Sequence, residues 1–277
     1  MKLYKFRTVN TNSLALLSNN QLWFSVFSGF NDPFEGTYVL DDSVSDEELD
    51  QYNIISKEEM GNEKYNEMLT GLGLKEGEFT KKELFLKLAE HAFKNFISIT
   101  RGAHISSFSL CDDEKDPIDE NLMWSHYAAG LRGFCLVFHY EKLLQDIMDS
   151  SETAIMPIKV NYQDNPNTLR LLDFVKSNGV LGGEEDEDYV KTATQTIATK
   201  SEDWSYENEL RILSLDSVNL HRYTPESLIE VVLGDKMPEQ HRKLILDIAK
   251  SNNSDISIKK AKLIPNSYNL EIVDFAE

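Results

Sequence analysis

The sequence predicts a single α+β domain over residues 1–277, with a mixed, largely antiparallel β core and a helical, acidic insertion at about 41–96. Three observations favour this class. Short segments alternate apolar and polar side chains, as half-buried strands do. The continuous apolar run at 133–138 predicts a strand that is buried on both faces. Internal repeats and low-complexity linkers, which would divide the chain, are absent from the sequence.

The N-terminal region predicts two strands, a helix and a structured loop. Residues 3–7 alternate in character and predict a short strand, whereas the turn and capping residues before 13–17 predict the start of a helix. Residues 21–25 are rich in aromatic side chains and predict a second strand. In the segment 27–36, aromatic residues alternate with turn formers around Asp32, which indicates an ordered loop.

The middle of the chain predicts the helical insertion and then a return to the core. Thr80 and Glu83 have the spacing of a capping box, which indicates that a helix begins there within the 41–96 segment. Residues 105–111 alternate again and predict a core strand, and 121–127 predict a short helix that carries two aromatic residues and a histidine.

The second half predicts a series of strands and helices. Strands are predicted at 155–162, 204–213, 227–234 and 256–263, and helices at 189–199 and 238–249. Pro166 is predicted to start a further helical segment, and an acidic loop is predicted at 182–188.

The chain carries a strong negative charge. It has 28 Lys and Arg residues and 47 Asp and Glu residues, which gives a formal net charge of −19 at pH 7. This charge argues against broad electrostatic binding to nucleic-acid backbones or anionic membranes, although it is compatible with a local basic cleft.

We expect a location in the cytoplasm and no contact with the membrane. No stretch approaches the ~18–20 consecutive apolar residues that a membrane-spanning helix needs. Residues 1–10 lack the apolar core and cleavage site of a signal peptide. Cys111 and Cys135 lie far apart in different motifs, so neither a disulfide framework nor a zinc knuckle is predicted.

The segment 204–213 contains the strongest candidate for chemistry. As a strand, its period of two puts Glu207, Glu209 and Arg211 on one face. Two carboxylates at this spacing suit a site that holds one hydroxyl group and stabilises one developing cation. The alternative is that Glu207 and Arg211 form an i,i+4 ion pair on an exposed helix.

The order of three short motifs resembles that of a known enzyme family. Arg7 ends the first strand, Ser107 and Ser109 lie on a middle strand, and Glu207 and Glu209 come late in the chain. This order of R, S-x-S and E-x-E resembles the arginine-type ADP-ribosyltransferases, which split NAD at its nicotinamide bond. The resemblance implies an ADP-ribosyltransferase-like β core with NAD as the substrate.

The resemblance also implies a role for each matching residue. Glu209 would stabilise the oxocarbenium-like ribose, and Glu207 would help to activate the acceptor. Arg7 would hold the NAD phosphates, since a guanidinium binds two phosphate oxygens at once. Ser107 and Ser109 would support the nicotinamide ribose and order the site.

Five further residues are candidate NAD contacts, and each has a structural alternative. His126 is either an acid, base or NAD contact, or a hydrogen-bonded structural histidine. Asn31 and Asp32 either shape the rim of the cleft and bind a ligand hydroxyl, or stabilise the loop through an Asx turn. Trp124 and Tyr127 either stack on a nicotinamide or adenine ring, or belong to the core.

A second resemblance extends along nearly the whole chain. The motifs LYKFR, FNDPFEG, MWSHYA, GFCLVF and WSYENELRI, which begin at residues 3, 30, 123, 133 and 204, resemble in this order a bacterial family described only as a domain of unknown function. This resemblance implies no mechanism of its own.

The leading hypothesis is an NAD-consuming ADP-ribosyltransferase-like enzyme or an NAD glycohydrolase. The expected setting is a bacterial toxin or phage-defence effector, with a protein or nucleic-acid acceptor, an inhibitory partner protein and no metal. One alternative is a non-catalytic binding or sensor module. Another is a metal-dependent hydrolase or nuclease that uses Asp32, His126, Glu207 and Glu209, because carboxylate-rich sites suit Mg²⁺.

Overall fold

The structure, a computed structural model, describes residues 1–51, 61–111, 116–176, 187–214 and 218–275. Most of the acidic loop predicted at 182–188 lies outside these ranges.

The chain divides into two compact units. The first comprises Met1–Asn31, Ala103–Tyr162 and Lys200–Glu277, and the second comprises Asp32–Gly102 and Gln163–Thr199. The acidic segment predicted at 41–96 falls within the second unit. Compact units are not the same as independently folding domains, so the single domain stays a prediction.

The described strands and helices are numbered in chain order. The strands are β1 (Lys2–Arg7), β2 (Gln21–Trp23), β3 (Ser25–Val26), β4 (Tyr38–Asp41), β5 (His104–Leu110), β6 (Phe134–His139), β7 (Ile155–Lys159), β8 (Asn161–Gln163), β9 (Asn167–Arg170), β10 (Thr199–Ser201), β11 (Glu209–Ser214), β12 (Leu220–Arg222), β13 (Leu228–Gly234), β14 (Ser257–Leu263) and β15 (Leu270–Asp274). The α-helices are α1 (Thr11–Ser18), α2 (Asp46–Gln51), α3 (Asn62–Gly71), α4 (Lys81–Gly102), α5 (Asn121–Tyr127), α6 (Tyr140–Asp149), α7 (Leu171–Lys176), α8 (Glu187–Ile197) and α9 (Glu239–Asn252). Short 3₁₀ helices lie at Phe27–Gly29, Pro117–Asp119, Glu202–Glu207 and Pro225–Ser227.

The first unit is built on one large sheet. Its strand order is β15-β14-β13-β6-β1-β5-β11-β7, and β3 pairs with β5 beside this path. The pair β13–β14 is parallel, whereas the other described pairs of this sheet are antiparallel. The predicted α+β class with a mixed, largely antiparallel core is therefore confirmed.

Both sides of this sheet are covered by apolar side chains. One side buries Leu3 in a cluster with Phe108 and Ile212, and the other buries Tyr4 and Phe6. Strand β6 runs through the middle of the sheet, and its first five residues are all buried. The prediction of a strand buried on both faces is thus confirmed.

The second unit is organised around the long helix α4. Phe85, Ala89, Phe93 and Phe96 recur at helical spacing and are buried in one cluster with Leu172 of α7. The capping box before α4 is confirmed, because Thr80 and Glu83 each accept a hydrogen bond from the other's backbone N–H, at 3.2 and 2.7 Å.

The prediction that a helical segment starts at Pro166 is wrong for its first residues. Asn167–Arg170 form strand β9 instead, which pairs in parallel with β4, and the helix α7 begins only at Leu171. The backbone of this segment forms hydrogen bonds with β4. No local pattern in the sequence predicts pairing with so distant a strand.

In the first unit, Asp146 connects α6 to the turn before β13. Its carboxylate accepts hydrogen bonds from Lys142 Nζ at 2.6 Å, from the backbone N–H and hydroxyl of Thr224, both at 2.7 Å, and from the hydroxyl of Ser227. Burial alone would raise the pKa of this carboxyl, but the hydrogen bonds outweigh burial and lower the pKa to about 2.

We predict that Asp146→Asn lowers the free energy of unfolding by about 2–3 kcal/mol near neutral pH, because hydrogen bonds to a charged carboxylate are lost. Urea unfolding measures this loss. The folded pKa of about 2 lies below the usual value of 3.8, so the contribution is present above pH 4 and disappears as the pH falls towards 2.

The matched control for this prediction lies on the same helix. Asp149 accepts a hydrogen bond from Gln145 at 2.7 Å at an exposed position. Asp149→Asn should change stability by less than about 0.5 kcal/mol at any pH. Equal losses for Asp146→Asn and Asp149→Asn would contradict the role assigned to Asp146.

Candidate functional site

The two predicted catalytic glutamates come from different elements. Glu207 ends a 3₁₀ helix, and β11 begins at Glu209, so the prediction that one continuous strand carries both residues was wrong. Between them, Asn208 adopts a left-handed conformation with φ of 42°, which asparagine tolerates better than most residues. Its side-chain amide donates to Leu110 O at 2.7 Å and so fixes the turn next to the end of β5.

The pairing of β5 with β11 brings the serine motif to Glu209. In the antiparallel register, Ser109 lies directly opposite Glu209 and Ser107 lies opposite Arg211. Directly opposed residues place their side chains on the same face of a sheet. In addition, the Ser107 hydroxyl hydrogen bonds with the Glu209 carboxylate. The structure therefore brings these predicted residues together.

A bidentate ion pair holds the Glu209 carboxylate. Arg211 Nε lies 2.9 Å from Glu209 Oε1, and a terminal nitrogen of Arg211 lies 3.1 Å from Oε2. Arg211 is fully buried and Glu209 is 4% exposed. Burial alone would raise the pKa of Glu209, but Arg211, Lys200 and the hydrogen bond from Ser107 outweigh it and lower the pKa. Glu209 is therefore held as a carboxylate.

The pKa of the Glu207 carboxyl is shifted in the opposite direction to that of Glu209. Its Oε2 lies 2.7 Å from Lys200 Nζ, and its Oε1 accepts a hydrogen bond from the hydroxyl of Tyr127. Burial raises the pKa of Glu207, and the nearby charge of Glu209 raises it further, although Lys200 acts in the other direction. The environment thus shifts the pKa values of the two carboxyl groups apart.

Lys200 connects the two carboxylates, and sequence analysis missed it. Its ammonium lies 2.7 Å from Glu207 and 3.6 Å from Glu209, and it sits 4.7 Å from the ring centroid of Trp204. The residue belongs to the three-residue strand β10, which carries no motif. No signal in the sequence distinguishes it from an exposed lysine.

Partly exposed aromatic residues surround the carboxylates. The Tyr162 hydroxyl accepts a hydrogen bond from the Glu209 backbone N–H at 2.8 Å. His126 Nδ1 lies 2.8 Å from the Tyr206 hydroxyl oxygen, and the rings of Tyr206 and Trp204 have centroids 6.0 Å apart. Tyr127, Tyr162, Trp204 and Tyr206 are half-buried, whereas His126 is exposed. Aromatic rims of this kind suit ligands with flat rings.

Arg7 points away from this constellation. Side chains alternate along β1, so Arg7 shares the face of Leu3 and Lys5, opposite to Tyr4. Tyr4 pairs with Ser109, which places Glu209 on the Tyr4 face. Arg7 is half-buried, and burial lowers its pKa. Its assignment as a phosphate ligand stays a prediction.

In the part of the chain that the structure describes, no hydrogen bond joins three other predicted contacts to the two carboxyl groups. Trp124 is 1% exposed, donates its indole N–H to Ile118 O at 2.7 Å and packs edge-on against Phe6, which favours a core role. Asn31 is exposed at the end of a segment of the first unit. Asp32 belongs to the second unit and accepts the Phe34 N–H at 2.9 Å, which is an Asx turn.

Two kinds of feature are absent from the residues that the structure describes. Among them, no group of three or more His, Cys, Asp or Glu side chains is placed to hold a metal ion. None of their helices has both the length and the apolar character that crossing a membrane requires.

Comparisons with known proteins bear on the segment that carries most of the site. No curated protein and no solved structure matches the chain. A family match covers residues 123–127 of α5, Lys200, both glutamates and Arg211, but neither β1 nor the serine motif of β5. Residues 123–212 match the model of a family described as "Protein of unknown function (DUF2971)", which confirms over this segment the resemblance to a family of unknown function.

Proposed function

We propose that the protein is an NAD-consuming enzyme that resembles the ADP-ribosyltransferases and uses Glu207 and Glu209 to transfer or hydrolyse the ADP-ribosyl group. The observation that carries the proposal is the pair of buried carboxyl groups with pKa values shifted in opposite directions. Such pairs mark acid–base assignments in enzymes that act on glycosidic bonds. The likeness of the large sheet to the ADP-ribosyltransferase core is part of this proposal.

The proposed reaction breaks the bond between C1 of the nicotinamide ribose and the nicotinamide nitrogen. The bonding electrons leave with nicotinamide, and positive charge develops on the ribose. Glu209, held as a carboxylate, stabilises that charge where it develops. An acceptor oxygen then bonds to C1 and gives its proton to Glu207, whose raised pKa makes it a stronger base.

The aromatic rim and the serine motif supply the remaining parts. Trp204 and Tyr206 offer half-buried ring faces for the nicotinamide or adenine ring. Ser107 orients the Glu209 carboxylate by a hydrogen bond. The acceptor is a water molecule in a glycohydrolase, and a protein or nucleic acid in a transferase.

The raised pKa of Glu207 predicts the pH dependence of the reaction. A base must be unprotonated, so the rate should fall as the pH drops through the pKa of Glu207, which lies above the usual 4.5 of glutamate. We predict that kcat falls on the acidic side of its pH profile, with a midpoint above the usual pKa of glutamate. Glu207→Gln should lower kcat and remove this fall, and a fall that survives this substitution would assign the titration to another group.

The first test of the function is product analysis with purified protein and NAD. We expect nicotinamide release, with ADP-ribose either free or attached to an added protein or nucleic acid. The same reactions with EDTA separate this proposal from a metal-dependent hydrolase, because chelation should leave nicotinamide release unchanged. Cleavage of nucleic acid that requires Mg²⁺, without nicotinamide release, would refute the proposal.

A second candidate function is a non-catalytic binding or sensor module. It is favoured by the ion pairs that both carboxylates form within the protein. Arg211 binds Glu209 through two nitrogens, and Lys200 binds Glu207. Buried pairs of this kind also occur where they only specify a structure. In that case Glu207→Gln and Glu209→Gln lower the melting temperature, and nicotinamide release is absent from the wild-type protein as well.

A further inference from the structure

Strand β5 has a gap along the edge that faces β1. Strand β1 pairs with β5 only at Ser109 and Leu110, and β3 pairs with it only at His104 and Ile105. Between these points, the described residues of β1 and β3 form no ladder pairs with 106–108. On its other edge β5 pairs continuously with β11, from the position of Glu209 to the position of Ser214.

The side chain of Lys5 closes this gap. Its ammonium donates to Ser106 Oγ at 2.9 Å and to the backbone carbonyl of Ser107 at 2.7 Å, and it lies 4.3 Å from the ring centroid of Phe108. Lys5 is only 7% exposed. A buried carbonyl without a partner is destabilising, so the lysine replaces the missing ladder hydrogen bond at Ser107.

Lys5 interacts electrostatically with charged groups, one of which is Glu209 of the carboxylate site. Burial lowers the pKa of Lys5 well below its ordinary value and the nearby charge of Arg7 lowers it further, whereas the charge of Glu209 acts in the opposite direction. Within the part of the chain that the structure describes, no carboxylate forms a direct ion pair with Lys5. Glu209 is the described carboxylate whose charge acts on Lys5.

Glu209 itself is surrounded by groups from several elements. The polar and charged groups near it are Lys5 of β1, Ser107 of β5, Tyr127 of α5, Tyr162 of β8, Lys200 of β10, Glu207 of the 3₁₀ helix and Arg211 of β11. Arg211 and Lys200 contact the carboxylate directly, whereas Lys5 lies on the other face of the sheet and is connected to Glu209 through Ser107.

We propose that Lys5 is a positioning residue for Glu209. Its hydrogen bond to the Ser107 carbonyl fixes the backbone of β5, and the Ser107 hydroxyl in turn holds the Glu209 carboxylate. The effect on catalysis rests on the proposed function, whereas the effect on Glu209 itself does not.

The test uses Lys5→Met with Lys2→Met as the matched control, because Lys2 is an exposed lysine on the same strand. NMR of protein labelled with ¹³C at the glutamate carboxyl groups measures the pKa of Glu209 without any substrate. We expect Lys5→Met to raise the pKa of Glu209 and Lys2→Met to leave it unchanged. Lys5→Leu, which also removes the donor to the Ser107 carbonyl, should raise it as well and serves if Lys5→Met does not fold.

The second part of the test measures the kinetics of nicotinamide release. Lys5→Met should lower kcat about 10- to 100-fold, the usual effect of a displaced catalytic group, with little change in KM because Lys5 does not touch the substrate. A raised Glu209 pKa in Lys5→Met, together with a wild-type protein that does not turn over NAD, would support the role of Lys5 but refute the proposed function. Folded Lys5 variants with an unchanged Glu209 pKa would overturn the proposal.

Discussion

Glu209→Gln is expected to lower the kcat for nicotinamide release by at least about 100-fold, because a fixed charge that stabilises the transition state contributes on this scale. The amide has nearly the same shape as the carboxylate but cannot stabilise a developing positive charge. The measurement is the initial rate of nicotinamide release at saturating NAD. Circular dichroism must first establish that the variant is folded at the assay temperature, since Arg211 loses its counter-ion.

The control for this substitution is Glu230→Gln. Glu230 lies on β13, is 8% exposed and forms an ion pair with Lys259 at 2.7 Å, so it resembles the glutamates of the site in burial and pairing. Glu230→Gln should lower the melting temperature slightly and leave kcat near the wild-type value. A similar loss of rate in both variants would attribute the effect to stability and contradict the role of Glu209.

Arg211→Met is expected to lower the free energy of unfolding by about 3–5 kcal/mol, because it leaves the buried carboxylate of Glu209 without its main partner. Urea or thermal unfolding measures this loss. The double substitution Arg211→Met with Glu209→Gln should recover part of the stability, since no unpaired charge remains in the interior.

The control for Arg211 is a surface arginine. Arg242 pairs with Glu239 at 2.8 Å, but Glu239 is largely exposed. Arg242→Met should change the free energy of unfolding by no more than about 1 kcal/mol, the usual range for an exposed ion pair. A loss of this small size for Arg211→Met would mean that water or another cation readily replaces the guanidinium.

Local patterns were sufficient to predict two strands in the centre of the large sheet, one of which carries the serine motif. The alternation at 105–111 and the apolar run at 133–138 depend only on which faces are buried, and both predicted strands are present as β5 and β6. The helix α6, by contrast, was missed although Leu143 and Ile147 have the required spacing and are buried. Here the signal was available in the sequence.

The geometry at Glu207 could not be predicted in the same way. A period of two correctly places Glu209 and Arg211 on one face of β11, but the left-handed turn at Asn208 removes Glu207 from that strand. The turn depends on contacts of Asn208 with Leu110, which lies about 100 residues earlier in the chain. Tertiary contacts therefore decided the local conformation.

The burial of the two lysines of the site could not be predicted from the sequence either. Lys5 and Lys200 lie in short strands, and nothing in their immediate sequence distinguishes them from exposed lysines. The burial of Lys5 follows from the order of strands in the large sheet, which places β5 between β1 and β11, whereas Lys200 lies on β10 outside that sheet and is buried against Glu207 and Trp204. Sequence periodicity carries no information about that order.

Nicotinamide release by the wild-type protein is the most direct measure of whether Glu207 and Glu209 act on the glycosidic bond of NAD. With NAD labelled in the nicotinamide ring, we expect release that increases linearly with protein concentration and is lost in Glu209→Gln. A wild-type rate equal to that of buffer, with and without protein and nucleic-acid acceptors, would contradict this role and leave the carboxylates as structural ion pairs.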